Sequence, residues 1–284
     1  MNAIDVRVET ITPEIAKAYL EKNKNNRKPS SQTVAIYARQ MKLGKWQLTH
    51  QGLAFDEGGD LLDGQHRLWS VIEADVPIQM VVSRNVPRSA FMFVDNGRRR
   101  QAHQLLPGDV THRSSVASAA RYLLVIEGNA GVGLRTSTIS DSVYWTNAPT
   151  NEVLECVGRW PELEQAAQIA SQIYSNSHIT KAPNTAVIAQ IMRTSYIDRL
   201  DDWTQGLEYG AGLQIGDPRL ALRDKFLRFS SSRDHSMSKT AAYALIVKAW
   251  NHFVLNKPLK VARMGRDEAT QCVEGFQVPK TLAK

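Results

Sequence analysis

Asp63, Gly64, Gln65, His66 and Arg67 follow one another within LLDGQHRLWSVIEADVPIQMVV, residues 61 to 82. An apolar pair precedes them and an amphipathic run follows, so they sit where a strand stops and a helix starts. The first turn of a helix leaves backbone N–H groups without intrahelical acceptors, here near Gly64, Gln65 and His66, and the aligned peptide dipoles add partial positive charge. Gly64 would let a phosphate approach without a Cβ in the way. Arg67 and His66 add side-chain donors, Arg67 with a fork able to hold a phosphate through two nitrogens. The chemistry expected of this turn is binding of a nucleotide or a phosphate diester.

Asp63 needs a cation or a hydroxyl between itself and a phosphate. It could order Mg²⁺ bridging to phosphate oxygens, or accept a proton from a ribose or other substrate hydroxyl. Its structural alternative is a helix N-cap, with Arg67 a surface residue and His66 a satisfied polar group. Asp56 and Glu57 lie in the turn just before; they suit a turn, and Glu57 also suits a general base for attack on a phosphate. The candidate catalytic residues are therefore Asp63, His66 and Glu57, with Asp63 the candidate metal ligand.

Two basic segments flank the turn. Gly97-Arg98-Arg99-Arg100 follows a helix end, where cations are favoured, and suits triphosphate or DNA-backbone contact as well as a solvated charge run. Upstream, Lys22, Lys24, Arg27 and Lys28 occupy a polar loop. If that loop folds over the turn, Arg27, Lys28, Arg39 and Lys45 are the residues expected to reach a phosphate. Trp46 and Trp69 could stack on a base, although core packing is the commoner use. Cys156 and Cys272 lack ligand or disulfide spacing and suit small buried residues. His178, His235 and His252 show no paired spacing and are assigned structural or surface roles.

The elements that must hold these residues come from periodicity. ITPEIAKAYLEK predicts a helix and NKNNRKPSS a loop. SQTVAIYARQMKLGKW predicts a second helix with Val34, Tyr37, Ala38 and Met41 in one stripe, capped by Ser30 or Ser31 and ended by Gly44. GLAFD and DLL form a hairpin around Glu57-Gly58-Gly59. A helix through HRLWSVIEA, a strand in PIQMVVS and a helix VPRSAFMFVDNG opened by Pro87 and stopped by Asn96-Gly97 complete the first lobe. Beyond residue 110 the amphipathic stretches are helical: SSVASAARYLLVIEG, EVLECVGRW, PELEQAAQIASQIY, NTAVIAQIMRTSYIDRLDDW, PRLALRDKFLRF and SKTAAYALIVKAWNHFVL. LKVARM is read as one late strand. The expectation is an α+β protein with a small mixed-sheet domain at 1–108 and an all-α domain at 109–284.

The chain has 284 residues, 43% of them hydrophobic, enough for a sizeable core. An excess of 35 Lys and Arg over 28 Asp and Glu gives +7, which suits a polyanionic partner. No apolar run approaches the roughly 20 residues of a membrane helix, and MNAIDVRVETITPEIAKAYL lacks the blocks of a secretory signal. A cytoplasmic protein without a membrane partner is expected.

The stretch LLDGQHRLWSVIEADVPIQMVV resembles the phosphate-binding box of the ParB and sulfiredoxin superfamily, where strand, G-x-x-R turn, helix and strand follow in this order. The matching positions are Gly64, His66 and Arg67. FVDNGRRRQAHQLL is similar to a degenerate second nucleotide box through Asp95, Asn96, Arg98 and Arg99. NNRKPS, YARQMKLGKW, LAFDEGGDLLDGQHRL, LALRDKF and KAWNHF are together similar to ParB-domain-like proteins of phages and prophages. The superfamily resemblance covers roughly residues 5 to 105. It implies an α/β domain that binds ATP or CTP, usually with Mg²⁺, through Gly64, Gln65, His66, Arg67, Asn96, Arg98 and Arg99, and that in many members works on DNA. Gln65 stands where sulfiredoxins carry a catalytic cysteine, which excludes sulfinic-acid reduction. No segment after residue 110 has a clean helix-turn-helix pattern, so site-specific partition binding does not follow. Kinases of free serine in the same superfamily have a box very like DGQHR. The expected function is a nucleotide-binding protein in a DNA-related process. The alternatives are a phosphotransferase, nucleoside triphosphatase, nucleotidyl transferase or nuclease on the same fold, and a regulatory DNA-binding protein without turnover.

Overall fold

The structure, a computed structural model, describes residues 3–24, 26, 28–93, 101–128, 148–231, 237–265 and 272–277. It is an α+β protein whose chain divides into two compact units between residues 99 and 100. The second unit starts before residue 109 because Ala102 and Leu106 are buried in the helical core.

The first unit holds a four-stranded mixed sheet of order β1-β4-β2-β3, formed by β1 (Asp5–Ile11), β2 (Leu53–Asp56), β3 (Leu61–Asp63) and β4 (Ile78–Val86). β1 runs antiparallel to β4 with Asp5 opposite Arg84 and Ile11 opposite Ile78. β2 lies parallel to β4 and forms the expected hairpin with β3. Helices α1 (Pro13–Leu20), α2 (Ser31–Lys42) and α3 (Gln65–Ala74) pack on one another and on the sheet. Thr12 caps α1 ahead of Pro13, and the Ser30 hydroxyl caps α2 by accepting the Thr33 N–H. Gly44 ends α2 with φ +65°. Val34, Ala38 and Met41 of the α2 stripe are buried, and Leu68 and Val71 of α3 meet Leu53, Phe55, Met80 and Val82 in the core.

Strand β1 is absent from the periodicity reading. It is an edge strand in which Val6 and Val8 alternate with Asp5, Arg7 and Glu9 but are exposed, and only Ile11 is buried, so the alternation does not mark a core-facing side. Its backbone bonds to β4 define it. The helix expected from Pro87 is a 3₁₀ turn over Arg88–Phe93 in its described part.

The second unit contains α4 (Arg113–Gly128), α5 (Thr150–Arg159), α6 (Leu163–Ser177), α7 (Lys181–Ile191), α8 (Leu200–Tyr209), α9 (Pro218–Ser231) and α10 (Lys239–Val254). Helix α7 is central: Pro183 to Ile191 are all buried, and it packs on α4, α6 and α10. Its polar residues Asn184, Thr185 and Gln190 are enclosed along with the apolar ones. The stretch NTAVIAQIMRTSYIDRLDDW is two helices with a 3₁₀ turn at Ile197–Arg199 between them. The Thr194 hydroxyl donates to the Ile191 carbonyl and accepts the Tyr196 N–H, offering the backbone a partner outside the helical ladder. LKVARM is not a strand. Leu259 and Ala262 are buried there in an irregular segment tied by the Leu259 N–H to the Gly216 carbonyl. Among the described residues no helix is long and apolar enough to cross a membrane.

Candidate functional site

β3 delivers the chain into α3 through Gly64, which takes φ +105° and ψ 5° as the helix N-cap. A Cβ there would lie 2.4 Å from Leu53 Cδ2 and 3.2 Å from both the Gly52 carbonyl oxygen and Leu53 Cα. β2 therefore requires the glycine. Its bare face is turned to the sheet, which corrects the expectation that it opens the backbone to a phosphate.

The side chains of the turn are engaged by the protein itself. Asp63 Oδ1 accepts the Gly64 N–H at 2.7 Å, and its Oδ2 lies 3.7 Å from Arg67 Nη1. Asp63 is thus outside the helix and is not its side-chain cap. Arg67 is 16% exposed, with Nη1 donating to the Gly52 carbonyl at 3.1 Å and Nη2 to Gln51 Oε1 at 3.4 Å. Its fork, expected to hold a phosphate, holds the entry to β2, so Arg67 is not the surface residue of the structural alternative either. His66 Nε2 accepts the Ser30 N–H at 3.0 Å, so that nitrogen carries no proton in this arrangement. Gln65 is buried, and its Oε1 accepts from Asn23 Nδ2 at 3.2 Å.

These contacts fold the basic loop over the turn. Asn26 Nδ2 donates to the Leu61 carbonyl at 2.8 Å, the Leu61 N–H donates to the Lys22 carbonyl at 2.9 Å, and Lys24 Nζ pairs with Asp60 Oδ1 at 2.8 Å. Lys22, Lys24 and Lys28 are exposed on this loop; Arg39 and Lys45 are exposed on and just after α2. Arg27, Asp95, Asn96, Arg98, Arg99 and Arg100, like His235, lie outside the described residues.

Glu57 is not brought to Asp63. Ala54 is opposite Asp63, which puts Glu57 three residues along β2, roughly 10 Å away, at the far end of the hairpin. Asp56 is a turn staple: its Oδ1 accepts the N–H groups of Gly58 and Asp60 at 2.9 and 2.8 Å. Around this end lies a cleft of about 320 Å³ lined by Tyr19, Lys22, Phe55, Glu57, Arg84 and Asn85, among others. Arg84 forks onto Glu9, with Nη2 3.0 Å from Oε2, and Nη2 is also 2.8 Å from the Tyr19 hydroxyl. The Tyr19 hydroxyl in turn donates to Glu9 Oε2 at 2.9 Å. The hydrogen bond from Arg84 holds the Glu9 carboxyl below the ordinary carboxylate range, and burial together with Glu9 pushes the Tyr19 phenol up. Sequence reasoning missed this triad because Glu9 and Arg84 are 75 positions apart and meet only through the pairing of β1 with β4.

For Mg²⁺ the turn offers Asp63 Oδ2, which is already paired with the Arg67 guanidinium at 3.7 Å. Among the described residues no group of three His, Cys, Asp or Glu side chains is placed to hold a metal. These residues do not fit a protein-built magnesium centre.

The remaining candidates have structural places. Trp46 packs edge-on to Tyr37 at 5.3 Å beside the core, whereas Trp69 is 42% exposed on α3. Cys156 is buried with its thiol directed at the Ala120 carbonyl, and Cys272 is half-buried. His178 ends α6 against Tyr174, and His252 Nδ1 bonds to the Pro258 carbonyl. No protein-family model, curated protein or solved structure matches this chain.

Proposed function

We propose that the N-terminal unit is a ParB-like module that binds ATP or CTP and serves a DNA-related process. The observation that carries this reading is the laying of the basic loop across the start of α3. It ties Asn23 and Ser30 to the first turn of α3, where the helix dipole is positive, with Lys28 exposed two residues before Ser30, while Lys22 and Lys24 lie toward the hairpin turn. In this reading Lys28 meets phosphate. Arg67 acts as a positioning residue through Gly52, and Gln65 and His66 hold the loop.

A second reading, a regulatory DNA-binding protein without turnover, is favoured by how the candidate catalysts are spent. His66 serves Ser30, Asp63 serves Gly64, and Glu57 stands at the other end of the hairpin. Phosphoryl or nucleotidyl transfer needs base and charge-stabilising groups converging on one reacting atom.

Thermal unfolding against ATP, CTP and GTP tests the first reading. A ligand at a hundred times its Kd adds about 2.7 kcal/mol to the folded state. The Lys28→Ala variant should keep the unliganded midpoint and lose part of the shift. Absence of a shift with every nucleotide would remove the nucleotide reading. A shift without hydrolysis, with or without duplex DNA, would select the second.

A further inference from the structure

The helical unit has a cleft of its own. Helix α9 presents Ala221, Asp224, Lys225, Arg228 and Phe229, and the segment Lys260–Ala262 forms the opposite wall, enclosing about 330 Å³. That is the lower end of the 300–1,000 Å³ typical of small-ligand sites. The wall is anchored. Leu259 and Ala262 are buried, the Leu259 N–H donates to Gly216, the Lys257 N–H to the His252 carbonyl, and Lys248 Nζ to the Arg263 carbonyl.

The lining has a definite chemistry. Three cations, Lys225, Arg228 and Lys260, face one carboxylate, Asp224. Lys225 Nζ lies 4.7 Å from the centroid of the Phe229 ring, which fixes the ammonium above an aromatic surface. Val261, 61% exposed, stands on the rim as a second apolar surface. A bare inorganic anion would use the cations and leave the exposed Val261 unexplained. An apolar ligand would leave the cations unexplained.

We propose that this cleft seats one nucleotide of a single-stranded nucleic acid, with phosphodiester oxygens on Lys225, Arg228 and Lys260 and the base against Phe229 and Val261. A single strand fits because its bases are free to leave the stack and enter a recess; in a duplex they are paired and stacked, and only their groove edges and the backbone are offered. Asp224 adds an acceptor that suits the exocyclic amine of a base. The site rests on the DNA-related half of the function proposed above, but it belongs to the helical unit, so it stands or falls separately from nucleotide binding.

The test is fluorescence anisotropy with a labelled 12-nucleotide single-stranded DNA and its duplex, from 50 to 200 mM salt, on the full chain. The triple variant Lys225→Ala, Arg228→Ala, Lys260→Ala should bind the single strand more weakly. Its slope of log affinity against log salt should be shallower by about 2, at roughly 0.7 per phosphate contact. Phe229→Leu should weaken binding by about tenfold or more with little change of slope. The nucleotide-induced thermal shift should be the same in the triple variant and the wild type, which separates this site from the one proposed in the N-terminal unit. Equal binding by the triple variant and the wild type, or a preference for the duplex, would overturn the proposal. Since the three cations are on the surface of the cleft, an unchanged far-ultraviolet spectrum and melting midpoint establish that the triple variant is folded.

Discussion

Gly64→Ala separates a glycine required by packing from one required by a ligand. At φ +105° an L residue costs about 1–3 kcal/mol in backbone strain. The new Cβ meets three atoms. Leu53 Cδ2 can rotate away, but the Gly52 oxygen and Leu53 Cα belong to the backbone and yield only if β2 moves, which adds roughly 1–3 kcal/mol of overpacking. The sum, about 2–6 kcal/mol, is a large part of the 5–15 kcal/mol that holds an ordinary domain together. Hydrogen exchange followed by mass spectrometry on peptides from β2, β3 and α3 reads this directly. Amides that exchange through unfolding of the unit should speed up by about thirtyfold or more, since each 1.4 kcal/mol is a factor of ten. An acceleration below threefold, together with loss of a nucleotide-induced shift, would refute the packing argument and return Gly64 to the ligand.

Other perturbations follow from the same contacts. Glu127 is buried, with Oε2 2.5 Å from Arg159 Nη2 and Oε1 accepting from Trp160 Nε1 at 2.7 Å; Glu127→Ala strands the buried Trp160 donor beside a part-exposed Arg159 and should cost about 1–3 kcal/mol, measured by denaturant titration of the Trp signal. A loss under 1 kcal/mol would show the pair to be dispensable. The folded-state pKa of Glu9 is depressed by Arg84, so its stabilising share is full at neutral pH, begins to fall below the ordinary value of 4.5 and is gone once pH drops through the folded value. The stability gap between wild type and Glu9→Gln should therefore shrink below pH 4.5 and not above it, as followed by urea midpoints across pH. Burial raises the Cys156 thiol pKa, with Glu127 adding to the effect, so at pH 8 native protein should react with a thiol reagent at Cys156 only after unfolding; fast native labelling there would contradict the burial.

The local grammar of the chain was legible from residue types alone. Ser30 before an apolar stripe and Gly44 after it fix α2 through capping and positive φ, interactions that span only a few residues. LLDGQHRL likewise shows strand, glycine turn and helix without outside help. The break at Thr194 was not legible, because NTAVIAQIMRTSYIDRLDDW keeps helical periodicity while one hydroxyl diverts the backbone. β1 escaped too: an edge strand is defined by bonds to a partner more than 60 residues away, and its side chains are mostly wet.

Residue type, then, determined where the cationic and anion-seeking groups occur and which turn could carry them. Tertiary structure alone decided what those groups touch. Arg67 turns inward because the Gly52 carbonyl at the start of β2 lies within its reach, and Gly64 is bare because Leu53 presses on it. Lys260 joins Lys225 and Arg228 only because the chain after α10 returns to α9. Hydrogen bonds and Coulomb attraction depend on separations of a few ångströms in space, whereas sequence fixes separation along the chain, and the two coincide only within a turn or two of helix.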